Sequence, residues 1–100
     1  MIAMHVGSIG ERKYLFLKCE KSHVFANQFR GRMIYSYMNF LVDRFGNNFV
    51  YKGSAQLVNG HYYGMTATIK SHQEYKDVLQ TWVGRPKINK HLDTDGKEMS

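Results

Sequence analysis

One hundred residues, 43% hydrophobic and 14% aromatic, supply one core and not two. No apolar stretch approaches the ~20 residues needed to cross a bilayer as a helix, Met1 to Gly10 lacks the basic and apolar regions of a secretory signal, and the lone Cys19 excludes an internal disulfide, which together point to a reducing, cytoplasmic setting with no membrane partner. The formal charge is +6 and lies wholly before Pro86, since residues 1–85 hold eleven Lys and Arg against five Asp and Glu while residues 86–100 hold three of each; the excess favours an anionic partner, nucleic acid above all.

The dominant period along the chain is two rather than 3.6. Over Arg12 to Glu20, Leu15, Leu17 and Cys19 share one phase and Tyr14, Phe16 and Lys18 the other, which predicts a first strand. Lys21 to Arg30 reads as a basic loop. Arg32 to Val42 predicts a long second strand, with Ile34, Met38, Phe40 and Val42 on one face and Met33, Tyr35, Tyr37 and Leu41 on the other. Both faces are apolar enough to meet a core, so the pattern leaves open whether Tyr35 and Tyr37 point to solvent or inward. Asp43-Arg-Phe-Gly-Asn supplies turn and positive-φ chemistry, returning the chain into a short third strand, Asn48 to Lys52. Gly53 to Leu57 is a connection and Asn59-Gly60 a second turn. A fourth strand runs from His61 to Lys70, His72 to Val78 forms a loop or one helical turn, and Leu79 to Arg85 forms a fifth strand.

After Pro86 the chain turns polar. Residues 88–100 are expected as a flexible C-terminal tail that follows a domain spanning residues 1–87. Within that domain several strands are apolar on both faces, which a single open sheet would leave wet. Closure into a barrel solves this and removes the exposed edges. The expected fold class is therefore all-β: a small five-stranded antiparallel barrel, OB-fold-like. A β-sandwich and an SH3-like barrel satisfy the strand count as well.

Three segments carry a resemblance: Gly7-Ser-Ile-Gly-Glu-Arg, Asp43-Arg-Phe-Gly-Asn-Asn-Phe-Val-Tyr, and Thr68-Ile-Lys-Ser-His-Gln-Glu-Tyr-Lys-Asp-Val-Leu-Gln-Thr-Trp-Val-Gly-Arg. Across Gly7 to Lys87 they resemble an OB-like module of bacteriophage and mobile-element proteins linked to DNA replication, with the closing pattern T-x-K-x-H-x-x-Y-x4-Q-T-x3-R as its most specific part. The chain departs from that pattern in the long basic segment Lys21 to Arg30 and in Asp77, which stands where a small turn residue is usual. The resemblance implies nucleic-acid binding.

The residues carry the same expectation by themselves. A single strand is held by aromatic rings that stack on bases within a basic groove that follows the phosphates. Arg30, Arg32, Tyr35, Tyr37 and Tyr51 are the first candidates, from the second and third strands and their flanking loops; Lys52, Lys70, Lys76, Trp82 and Arg85 follow, with Tyr14, Phe16 and Lys18 as further platforms and cations. Strand aromatics also serve as core, and lone cations as solvated surface. Arg30 and Arg32 stand out by flanking Gly31. His72, Tyr75, Gln80 and Thr81 are polar and bunched, and read better as ties for the loop between the last two strands. The expected ligand is single-stranded DNA or RNA. The same aromatic face would equally suit a replication protein or a second copy of the chain.

Catalytic readings find little support. The five histidines, His5, His23, His61, His72 and His91, fall at no metal-ligand spacing, and Gly7 to Gly10 lacks the Lys-Ser/Thr of a phosphate loop. Cys19 sits on the apolar phase of the first strand and reads as a buried thiol. No catalytic residue, metal or cofactor is expected.

Overall fold

The alternation is realised in five strands, β1 (Arg12–Phe29), β2 (Arg32–Val42), β3 (Asn48–Gly53), β4 (Tyr62–Tyr75) and β5 (Val78–Leu92), in a computed structural model that describes residues 4–99. They close into a barrel in the order β1-β2-β3-β5-β4, with β4 returning to pair with β1. This is the small five-stranded all-β barrel expected from the sequence, with one correction. β3 and β5 run parallel, over Asn48↔Gln80 to Tyr51↔Val83. The reason is arithmetic: an odd number of strands in a ring cannot alternate direction all the way round, so one seam must be parallel.

Period-two burial fills the barrel. Leu15, Leu17 and Cys19 of β1 meet Leu41 of β2, Phe49 and Tyr51 of β3, Tyr63, Met65, Ala67 and Ile69 of β4 and Val83 of β5, with Leu57 capping from the β3–β4 connection. Each large apolar side chain so covered contributes about 1.5–3 kcal/mol. Asn39 lies at an inner position of β2 and is fully buried, yet completely paired. Its amide donates to the carbonyls of Tyr51 (3.2 Å) and Ala55 (3.0 Å), and its Oδ1 accepts from the Leu57 amide (3.0 Å) and the Ser22 hydroxyl (2.8 Å). It thereby ties the β3–β4 connection to the barrel wall.

The turn between β2 and β3 is built as expected. Asp43 Oδ1 accepts from the amides of Phe45 and Asn47, both at 2.9 Å, and Gly46 takes φ 83°. The same arrangement recurs near the C-terminus, where Asp93 Oδ1 accepts from the amides of Asp95 and Lys97 at 2.9 Å and Gly96 takes φ 82°.

Three segments differ from the expectation. Lys21 to Arg30 is not a loop: β1 passes a bulge between Cys19 and Lys21, then runs on to Phe29, paired with β2 as far as Phe29↔Arg32. Its outer part is a two-stranded ribbon whose residues are exposed on both faces. β4 and β5 likewise extend into a second hairpin that ends at Tyr75↔Val78. Finally, β5 continues past Pro86 to Leu92, pairing Tyr62 with Leu92 and Tyr63 with His91, and Glu98 then bridges back to Leu92, where a flexible tail was expected from residue 88. Ladder hydrogen bonds need only backbone, so polar side chains do not prevent a strand.

An N-terminal strap covers the parallel seam. The Met4 amide donates to Asn47 Oδ1 (2.8 Å) and the Val6 amide to Thr81 Oγ1 (2.9 Å), while His5 Nε2 pairs with the Gln73 carbonyl at 3.0 Å. No helix in the described residues is long and apolar enough to cross a membrane.

Candidate functional site

Residues that face each other across a ladder lie on the same side of the sheet. Following the rungs outward from β1 gives one row across the whole barrel wall: Lys21, Phe40, Val50, Trp82 and Ser71. All share the phase opposite the barrel core, where Lys21 is exposed, Phe40, Trp82 and Ser71 are half-buried and Val50 is fully buried. The next row adds His23, Met38 and Lys52, and Phe25 stands beyond His23 on the same side of the ribbon.

This face joins rings to cations. Lys21 Nζ lies 6.0 Å from the Phe40 ring centroid and Lys52 Nζ 5.9 Å from that of Phe25, while His23 meets Phe40 edge-on at 5.9 Å. Trp82 is oriented by its Nε1, which donates to Gln80 Oε1 at 3.2 Å. Between this face and the β4–β5 hairpin lies a depression of about 340 Å³, lined by Met38, Phe40, Gln73, Glu74, Tyr75, Gln80 and Trp82.

Both hairpin tips repeat one device. In the β1–β2 turn, Arg30 (φ 50°) follows Phe29, and its guanidinium sits 5.3 Å from the Phe29 ring. In the β4–β5 turn, Lys76 (φ 49°) follows Tyr75 with its Nζ 5.3 Å from that ring, and Asp77 takes φ 65°. Two successive positive-φ residues match the twist of a two-residue hairpin turn, and non-glycine residues hold that conformation at a cost of order 1 kcal/mol each.

The sequence candidates divide among several places. Lys52 and Trp82 fall on the outer face, and Arg30 and Lys76 at the two tips. Arg32 stands at the foot of the first turn, opposite Phe29. Tyr35 and Tyr37 pair with Ala26 and Val24 and share the phase of Asn39, so they lie on the reverse side of the ribbon from Phe40. Tyr35 is exposed there and Tyr37 half-buried. Tyr51 belongs to the core at 7% exposure, which removes it as a stacking platform. Lys70 and Arg85 line a separate groove with Lys52. Tyr14, Phe16 and Lys18 belong to the β1–β4 side, where Phe16 stacks on Tyr62 at 6.0 Å and Lys18 Nζ lies 5.8 Å from the Tyr62 ring.

Phe25, Phe40, His23 and Lys21 are the residues of this face that sequence reasoning missed. Phe40 carried a signal, since it shares its phase with Met38 on a strand whose other phase holds Leu41. Phe25, His23 and Lys21 carried none, because they were read as loop.

Burial pushes the Cys19 thiol above its ordinary value of 9.0, helped by the neighbouring Glu20 charge and opposed by the contact with the Lys21 carbonyl at 3.7 Å. His72 stacks on His5 with ring centroids 4.5 Å apart, and His61 Nδ1 pairs with His91 Nε2 at 2.8 Å. Among the described residues no three His, Cys, Asp or Glu side chains stand close enough together to hold a metal ion. No protein-family profile, curated protein or solved structure matches the chain.

Proposed function

We propose that the protein is a non-catalytic binder of single-stranded DNA that serves DNA replication or recombination of a bacteriophage or mobile element in the cytoplasm of a bacterial host. The observation that carries this reading is the outer face on which the half-buried rings of Phe40 and Trp82 and the exposed ring of Phe25 stand with Lys21 and Lys52 beside them. Rings on a sheet surface accept the faces of unpaired bases, worth about 1–3 kcal/mol per stacked base, and the cations beside them meet the phosphates. In a duplex those base faces are already occupied by neighbouring bases. The net charge of +6 and the resemblance of Gly7 to Lys87 to replication-linked modules support the same reading.

A second reading rests on the reverse side of the ribbon. Val24, Ala26, Met33, Tyr35 and Tyr37 lie there with Gln28, a mostly apolar strip with no charged side chain among them. Such a strip suits a protein partner, whether a helicase, a primase, a host factor or another copy of this chain. Fluorescence anisotropy with labelled oligo-dT and duplex DNA, at two salt concentrations, separates the two. Binding of oligo-dT that weakens steeply with salt is the expected result. No binding to either oligonucleotide at low salt and micromolar protein would overturn the nucleic-acid reading and leave the protein-partner reading standing.

A further inference from the structure

Past Tyr51↔Val83 the parallel seam ends and β3 and β5 part. A groove of about 490 Å³ opens there, lined by Tyr51, Lys52, Gly53, Ser54, Thr68 and Lys70 together with Gly84, Arg85 and Pro86. Three cations line it and no carboxylate does. Arg12 adds a fourth cation at its edge, donating from Nη1 to Thr68 Oγ1 at 3.0 Å.

The groove is shaped by irregularities in the ladder rather than by regular strand surface. Between the rungs Ile69↔Val83 and Ser71↔Trp82, Lys70 is an extra residue of β4 without a partner. Between Thr68↔Gly84 and Thr66↔Lys87, Arg85 and Pro86 together oppose Ala67 alone. Two bulges on facing strands thus each turn a cation out of the normal alternation, which is how bulges re-aim side chains at sites. Arg85 is held at φ 49°, a left-handed conformation that disfavours side chains, and Pro86 spares the bulge a lost ladder donor. Glycines provide the clearance. A Cβ at Gly84 would collide with the Lys70 stem, and a Cβ at Gly53 with the Tyr51 hydroxyl.

The neutral groups are also set to donate. Thr68 Oγ1 already accepts from Arg12, so its own proton is free for a ligand. The Tyr51 hydroxyl lies over Gly53 in the wall of the groove. Four cations with hydroxyl donors and no facing carboxylate select a tetrahedral oxyanion rather than a metal or an amine. Lys52 is shared with the stacking face, where its ammonium lies over Phe25, so the groove continues that face.

We infer that this groove is a phosphate-binding subsite, and that it receives a backbone phosphate of the strand whose bases stack on the outer face; the second half rests on the nucleic-acid reading. The variants Lys70→Met and Arg85→Asn test it. Methionine keeps the stem that covers Gly84, and asparagine tolerates the left-handed backbone, so the fold is retained and a thermal melt checks this.

Two measurements are read together. Inorganic pyrophosphate, titrated into the protein without any oligonucleotide, is expected to shift the amide resonances of Gly53, Gly84 and Arg85, and the double variant to lose these shifts. Oligo-dT binding by the double variant is expected to show a log Kobs against log[salt] slope shallower by roughly 0.7–1.4, at about 0.7 per phosphate contact, with quenching of Trp82 fluorescence preserved. Absence of pyrophosphate shifts at the groove, or a double variant whose salt slope equals that of a wild-type protein that binds oligo-dT, overturns the subsite. A wild-type protein that fails to bind oligo-dT overturns the nucleic-acid reading instead, and the pyrophosphate titration still decides whether the groove takes phosphate.

Discussion

Replacing Asn39 with alanine removes a side chain that satisfies four polar groups at once. The Ser22 hydroxyl can rotate towards other partners, and a water entering the vacated space can reach the partly buried Ala55 carbonyl. The buried Leu57 amide and the Tyr51 carbonyl lose a partner with no substitute in place. An unmet buried group costs about 1–3 kcal/mol, so the expected loss is about 3–5 kcal/mol, a large part of the ~5–15 kcal/mol that holds a small domain folded. For a domain of this size each kcal/mol moves the melting temperature by roughly 4–8 °C. Urea denaturation followed by circular dichroism is the assay, with Ser22→Ala, which removes only the replaceable bond, as the comparison. Ser22→Ala is expected to cost well under half as much. An Asn39→Ala loss below about 1 kcal/mol would refute the reasoning, since it would mean that water replaces all four bonds without penalty.

Three further outcomes follow from the same structure. Phe40→Ala is expected to weaken oligo-dT binding by about 1–3 kcal/mol in anisotropy titrations, whereas Tyr35→Ala, on the reverse side of the ribbon, leaves it unchanged; equal losses would place the strand elsewhere. Asp43→Ala removes three hydrogen bonds from the β2–β3 turn and is expected to lower global stability by about 1–2 kcal/mol, while Asp93→Ala, in the matching turn at the periphery, shows up only as faster local amide exchange near Leu92. Alkali is expected to destabilise the fold. Burial raises both the Cys19 thiol and the Tyr63 phenol above their ordinary values of 9.0 and 10.0, so the unfolded chain releases these protons first. The stability they confer is complete below pH 9 and is lost as pH rises through their folded values. A pH series of urea midpoints in wild type and Cys19→Ala checks this, the variant being expected to decline less between pH 9 and 11.

The barrel was legible wherever one strand phase is buried. Leu15, Leu17 and Cys19, and likewise Tyr63, Met65, Ala67 and Ile69, alternate because one side meets the core. The ribbon was not legible, since a two-stranded arm wet on both sides has no reason to alternate, and the bulge after Cys19 shifts the phase where the eye would follow it. Asn39 hid the orientation of β2. A polar residue at an inner position weakened the very phase that holds Leu41, and so left Tyr35 and Tyr37 undecided. Two features could have been read and were not. Asp93-Thr-Asp-Gly-Lys repeats the Asp-x-x-Gly pattern of Asp43-Arg-Phe-Gly-Asn, which signals an ordered turn rather than a tail. And five strands in a ring require a parallel pair. The site was legible as a list of residue types but not as a surface, because whether a tyrosine stacks or packs depends on its side of the sheet, and that depends on rungs formed with distant segments.

The parallel seam gives the barrel an unequal mechanical character. Every other seam is made by neighbours that can zip from a turn or by the long β1–β4 ladder, whereas β3 and β5 hold each other over four rungs with all of β4 between them in the chain. Such a contact forms late and opens early, so the barrel behaves as a sleeve with one clasp. The Met4 to Val6 strap fastens that clasp from the N-terminal side, through Asn47 and Thr81. A ligand laid across Phe40 and Trp82 would bridge it from the outside, because β2 and β5 stand on either side of β3. Amide exchange at Phe49 to Tyr51 then becomes a gauge of how tightly the sleeve is held, slowing when the outer face is occupied and quickening when the strap is cut away.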